Sequence, residues 1–146
     1  MPYQTSLPLV KEFHLEKTDE NHKNEGDPTI VKIRQVKMGD KKLRDDLYAK
    51  FERRFDGNIV TVSQVVSLDD VQRKEVFLTL ADTNITTGDG KTSLFQFEGD
   101  RLKNERDFNM AWARLDQDVA KEIHDKVIEM NPMWNPNLGE LGSEID

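Results

Sequence analysis

The spacing of apolar residues in NERDFNMAWARL is the strongest constraint on the fold. Phe108, Ala111, Trp112 and Leu115 fall at i, i+3, i+4 and i+7, the interval of one helix face. Directly after it, DQDVAKEIHDKVIEM places Val119, Ile123 and Val127 four residues apart, with Ala120 and Met130 alongside. Asn131-Pro132 stops this second helix, because proline has no N–H to donate and disfavours helical geometry in the residue before it.

Upstream, the patterns alternate between strand and helix. TIVKIRQV sets Ile30, Val31, Ile33 and Val36 against Lys32 and Arg34, as a half-exposed strand requires. GDKKLRDDLYAKFERRF carries Leu43, Leu47, Tyr48, Phe51 and Phe55 at spacings of three and four, which predicts an amphipathic helix capped by Asp40 and ended by Asp56-Gly57-Asn58. NIVTVSQVV is a second β-rich run, and it stops at Ser67, whose hydroxyl precedes two carboxylates at the start of the next helix. That helix, LDDVQRKEVFLTLADT, bears Val76, Phe77, Leu78, Leu80 and Ala81 on several faces and is expected to be central and buried. SLFQFEGDRL reads as a short strand.

The N-terminal and C-terminal segments differ in composition from this middle. EKTDENHKNEGDP, residues 16–28, is almost wholly polar and reads as a loop after a weak edge strand within Leu7–Leu15. PMWNPNLGELGSEID mixes proline, glycine and acidic residues with isolated apolar anchors. The expected organisation is an arm and polar loop at 1–27, a globular domain at 28–131 and a mobile acidic tail at 132–146. The expected class is α+β, a mainly helical single domain with a small antiparallel β element.

At 146 residues the chain can bury roughly two-thirds of its unfolded surface around one core. It has no cysteine, which excludes thiolate catalysis, cysteine-ligated metal and disulfides. A net charge of −7 disfavours nonspecific binding to nucleic acid, and no run of 18 apolar residues suggests a membrane span. A soluble cytosolic protein is expected.

The chemical motifs weaken on inspection. GDGKTS at 88–93 ends like a phosphate-binding loop, but the opening glycine of G-x-x-x-x-G-K-[ST] should stand at residue 85, which is Ile85. The loop is expected to follow a helix and run into a strand, the reverse of the order that presents free helix N–H groups to phosphate. Asp82, Asn84, Thr86 and Asp89 resemble calcium ligands, yet Thr87 and Ser93 stand where an EF-hand needs glycine and glutamate. A tight turn at Gly88-Asp89-Gly90, with Asp82 and Asn84 ending the preceding helix, explains these residues better. His14, His22 and His124 lack zinc-site spacing, and His124 is expected at the surface or on an exposed helix flank. No G-x-S-x-G elbow occurs, and the paired carboxylates fit helix starts or solvated faces. The basic residues around the first long helix alternate with Asp40, Asp45, Asp46 and Glu52, as on an ion-paired solvent face. No catalytic residue, metal ligand or cofactor is therefore assigned. Met133, Trp134, Leu138 and Leu141 are the candidate partner contacts, with core docking equally open for Trp134.

One resemblance runs through the later part of the chain. EVFLTLADTNITTGDGKTSLFQF followed by FNMAWARLDQDVAKEIHDKVIEMNPMWNP is similar to the tail assembly chaperones of long-tailed bacteriophages, and TIVKIRQVKMGDKKL resembles the family's opening. The similarity spans about residues 28 to 136. It implies a non-enzymatic protein of the host cytoplasm that binds the tape-measure protein and keeps its long hydrophobic helices soluble. Tail-tube subunits are an additional implied partner; a homo-oligomer is compatible with the sequence, which does not fix the oligomeric state. The alternative is a virion structural protein, such as a tail-completion or head-tail joining component.

Overall fold

A computed structural model describes residues 2–53 and 67–135. The expected turn at 56–58 and the β-rich run at 58–66 lie outside these residues, as do Leu138 and Leu141. The order is β1 (Val10–His14), α1 (Glu16–Asn21), β2 (Ile30–Arg34), α2 (Met38–Arg53), α3 (Leu68–Thr79), β3 (Leu80–Thr83), β4 (Phe97–Glu98), β5 (Arg101–Leu102), α4 (Glu105–Trp112) and α5 (Gln117–Met130). A 3-10 turn at Pro132–Trp134 comes directly after α5. The class is α+β, helical in the main, with one three-stranded and one two-stranded antiparallel sheet.

The larger sheet has the order β1-β2-β3, so β2 is central. Its alternation works as the sequence predicts for Val31 and Ile33, which are fully buried. Arg34 departs from it. Rather than pointing to solvent, its buried guanidinium donates to the carbonyls of Leu78 and Asp100, the latter at 2.6 Å. The cation thus supplies donors to a carbonyl in the last turn of α3 and to one in the turn between β4 and β5. A register shift between Lys32 and Ile33 skips Ala81, so the β2–β3 ladder carries a bulge.

The N-terminal segment is built into the domain, and the boundary expected at residue 27 does not divide the packing. β1 pairs with β2 from Val10 opposite Arg34 to His14 opposite Ile30, and Phe13 and Leu15 join the main core. The polar run after it is not simply a loop, because Glu16–Asn21 forms α1. Its first turn is capped from α5, where the buried Glu122 accepts from Lys17 N at 3.0 Å and Thr18 N at 2.8 Å. A distant carboxylate therefore satisfies the N–H groups that a local cap normally takes.

Two helices end or begin differently from expectation. α3 starts on Ser67, whose hydroxyl accepts from Asp69 N as predicted, but it stops at Thr79 instead of continuing through Thr83. Leu80–Thr83 turns into strand and gains its hydrogen bonds from β2. In α2, Asp40 lies inside the first turn and reaches back to accept from Lys37 N at 3.1 Å, the carboxylate half of a capping box.

The stretch expected to hold one strand makes a hairpin, β4 against β5, turned by Gly99-Asp100. Gly99 has φ of 64°, which a two-residue hairpin loop favours at its first position. α4 and α5 form as their periodicity predicts, with Asn104 capping α4 by accepting from Asp107 N at 2.8 Å. Phe108 sits at the centre of an aromatic group, its ring 5.5 to 5.7 Å from those of Phe77, Phe95 and Trp112. α5 lies against both β2 and α3, which joins the sheet to the helices.

Candidate functional site

The GDGKTS loop follows strand β3, not a helix, so one part of its phosphate-loop context is present after all. The chain does not enter a helix after the loop, and the loop's geometry decides against phosphate. Asp89 Oδ1 accepts from Lys91 N at 2.8 Å, Thr92 N at 2.9 Å and the Thr87 hydroxyl at 2.8 Å, while Oδ2 accepts from the Thr92 hydroxyl. These backbone and side-chain donors hold the carboxyl well below the usual carboxylate range. The loop's own anion fills its nest of N–H groups. Gly90, with φ of 72°, completes the turn.

The calcium-like oxygens do not converge. Asn84 spends its amide on the Pro28 carbonyl and its oxygen on Ile30 N, at 2.8 and 2.9 Å, so it ties the loop to the start of β2 instead of ending a helix. Asp82 accepts from Thr83 N at 2.8 Å.

Beside this loop lies a groove of about 750 Å³, walled by α1, the 84–94 segment and the junction between α4 and α5. Ile85, Leu94, Leu115 and Val119 supply apolar surface, and Thr18, His22, Arg114 and Asp116 supply polar groups. At its rim the fold gathers residues whose sequence spacing suggested no site. His22 Nε2 lies 2.9 Å from Asp118 Oδ2, and its Nδ1 lies 3.8 Å from Asp116 Oδ2. Burial raises the Asp118 carboxyl, but hydrogen bonds from Asn21 and His22 outweigh it and the net shift is downward.

A second polar cluster is interior. Glu75, on α3, receives Arg44 Nε at 2.8 Å on one oxygen and lies 2.9 Å from His124 Nε2 on the other. His124 is buried, which corrects its expected place on an exposed flank. Its position beside Ile123, within the Val119–Ile123–Val127 stripe, is the sequence signal for burial. A buried carboxylate between two basic groups satisfies α2, α3 and α5 at once, so the cluster serves packing.

The candidate partner contacts separate at the end of α5. Met133 is 90% exposed, whereas Trp134 is 6% exposed, and its ring lies 5.1 Å from the Arg44 guanidinium. Core docking thus claims Trp134, and residues 132–135 belong to the domain rather than to a loose tail. The Lys41–Asp45 and Lys42–Asp46 pairs of α2 lace its solvent face as expected. Other large apolar side chains at the surface include Met38, Leu43, Leu68 and Met110.

Among the described residues, no helix is long and apolar enough to cross a membrane. Neither protein-family models, nor curated proteins, nor solved structures yield a match to this chain.

Proposed function

We propose that the chain is a tail assembly chaperone of a long-tailed bacteriophage, acting in the host cytoplasm to bind the tape-measure protein and keep its hydrophobic helices soluble. The reading draws on the succession of segments from EVFLTLADT to NPMWNP, and the observation that carries it structurally is the paired placement of Met133 and Trp134. The tryptophan fixes the backbone on the domain, while the adjacent methionine stands free. A flexible thioether on a fixed base suits recognition of varied apolar helix faces. Leu138 and Leu141 extend this anchor set along the sequence.

The test is affinity purification of the tagged chain from cells that co-express the tape-measure protein encoded beside it. Co-purification is expected, with the chain missing from purified virions by mass spectrometry. Stoichiometric copies in mature particles would instead favour a tail-completion or head-tail joining component.

A further inference from the structure

We propose that the outer edge of β1, with the segment that leads into it, pairs with the same elements of a second copy of the chain, joining two three-stranded sheets into one of six strands. The inference goes beyond the chaperone reading and does not depend on it.

β1 is an edge strand, with β2 on one side only. Leu9 O accepts from Gln35 N and Leu15 N donates to Thr29 O, so the odd-numbered residues from 9 to 15 turn their backbone groups toward β2. The N–H and C=O groups of Val10, Glu12 and His14 therefore point away from the sheet, and among the described residues no strand pairs with them. An open row of this kind is a template for another strand. The opposite edge of the sheet, β3, lies against β5.

Ahead of β1, residues 2–9 lie outside any helix or strand, and among the described residues 2–8 make no hydrogen bond. Tyr3, Leu7, Leu9 and Val10 are all exposed. Apolar side chains thus collect directly beside unpaired backbone, a combination that marks an interaction surface.

The side chains favour a second copy as the occupant and select its register. A two-fold axis pairs the strands antiparallel, and centring it on Lys11 or Glu12 sets like charges face to face, which destabilises the pair. Moving the axis to Phe13 or beyond carries the pairing into α1, which begins at Glu16, and leaves the leucines uncovered. Centring it on Val10 avoids both faults. Val10 then meets Val10 of the second copy, Leu9 meets Lys11, and Leu7 meets Phe13, whose ring belongs to the main core. Leu7 and Leu9 share the core face of the sheet with Phe13, so two leucines from each copy extend the core of the other across the joint. Pro8 falls opposite Glu12 and offers a carbonyl but no N–H, which removes one hydrogen bond from each of those two pairs. The Val10 pair and the two pairs of Ser6 with His14 keep both of theirs.

Sedimentation velocity of the full-length protein at micromolar concentration tests the joint. A dimer is expected, with its dissociation constant raised at least about 10-fold by Leu7→Asp and by Val10→Pro. The Val10 N–H points outward, so the proline removes no hydrogen bond to β2, and circular dichroism confirms that both variants are folded. The chain has no cysteine, so single introduced thiols report the register. Val10→Cys should form an intermolecular disulfide on mild oxidation, whereas the two thiols of Glu12→Cys would stand about 14 Å apart along the ladder, beyond disulfide reach. A monomeric wild-type chain, as expected if another protein supplied the added strand, would overturn the proposal. So would an undiminished dimer in folded Leu7→Asp, or Glu12→Cys cross-linking as readily as Val10→Cys.

Discussion

Asp19 shows how single residues hold a polar segment in place. Burial raises its carboxyl, but the Thr29 hydroxyl and N–H, the Asn24 amide and His14 together hold it below the usual carboxylate range. A folded value lower than the unfolded one means that this carboxylate stabilises the fold above about pH 4 and loses its contribution as pH falls below that. Asp19→Asn is therefore expected to lower the melting temperature at neutral pH, with the gap to wild type narrowing toward about pH 2. Melting curves across that range check it; a constant gap would contradict the assignment. Arg34 makes a related point with opposite charge, since desolvation lowers its pKa and two carbonyls, not a carboxylate, receive the guanidinium.

At the scale of elements, legibility in the sequence depends on how local the determining forces are. α4 and α5 are readable because their apolar stripes and their boundary residues, Asn104 and Asn131-Pro132, lie within or beside them. α1 is not, because its N–H groups are satisfied by Glu122, more than 100 positions away. β3 reads as helix because Leu80 and Ala81 are buried in either conformation, and only pairing with β2 selects the strand. The site residues divide in the same way. Ile85 argues against phosphate from sequence alone, while the meeting of His22 with Asp116 and Asp118 exists only after α1 docks on α5. Glu122→Ala is expected to cost about 1–2 kcal/mol through the lost cap. Hydrogen exchange should quicken in the α1 amides while the middle of α5 stays protected; equal loss of protection in both would show that Glu122 acts on the core as a whole.

For the whole molecule, the end of α5 acts as a fastening point. The Asn131 side chain donates to the Arg34 carbonyl at 3.2 Å and accepts from Val36 N at 2.9 Å, which binds this end to the exit of β2. Trp134 then covers Arg44 and completes the core. Trp134→Ala is expected to destabilise by about 3–5 kcal/mol, whereas Met133→Asp should stay within about 0.5 kcal/mol of wild type. Chemical denaturation separates these outcomes, and comparable losses would mean that Met133 also packs. The contrast matters because one residue holds the domain and the other is free to hold a partner.

The most direct test of the chaperone account is the soluble fraction of the tape-measure protein when co-expressed with this chain or with Met133→Asp. The account predicts a soluble tape-measure protein with the wild-type chain and its loss to the pellet with the folded variant. A tape-measure protein that stays insoluble beside abundant wild-type chain, or that is equally soluble without it, would contradict the account.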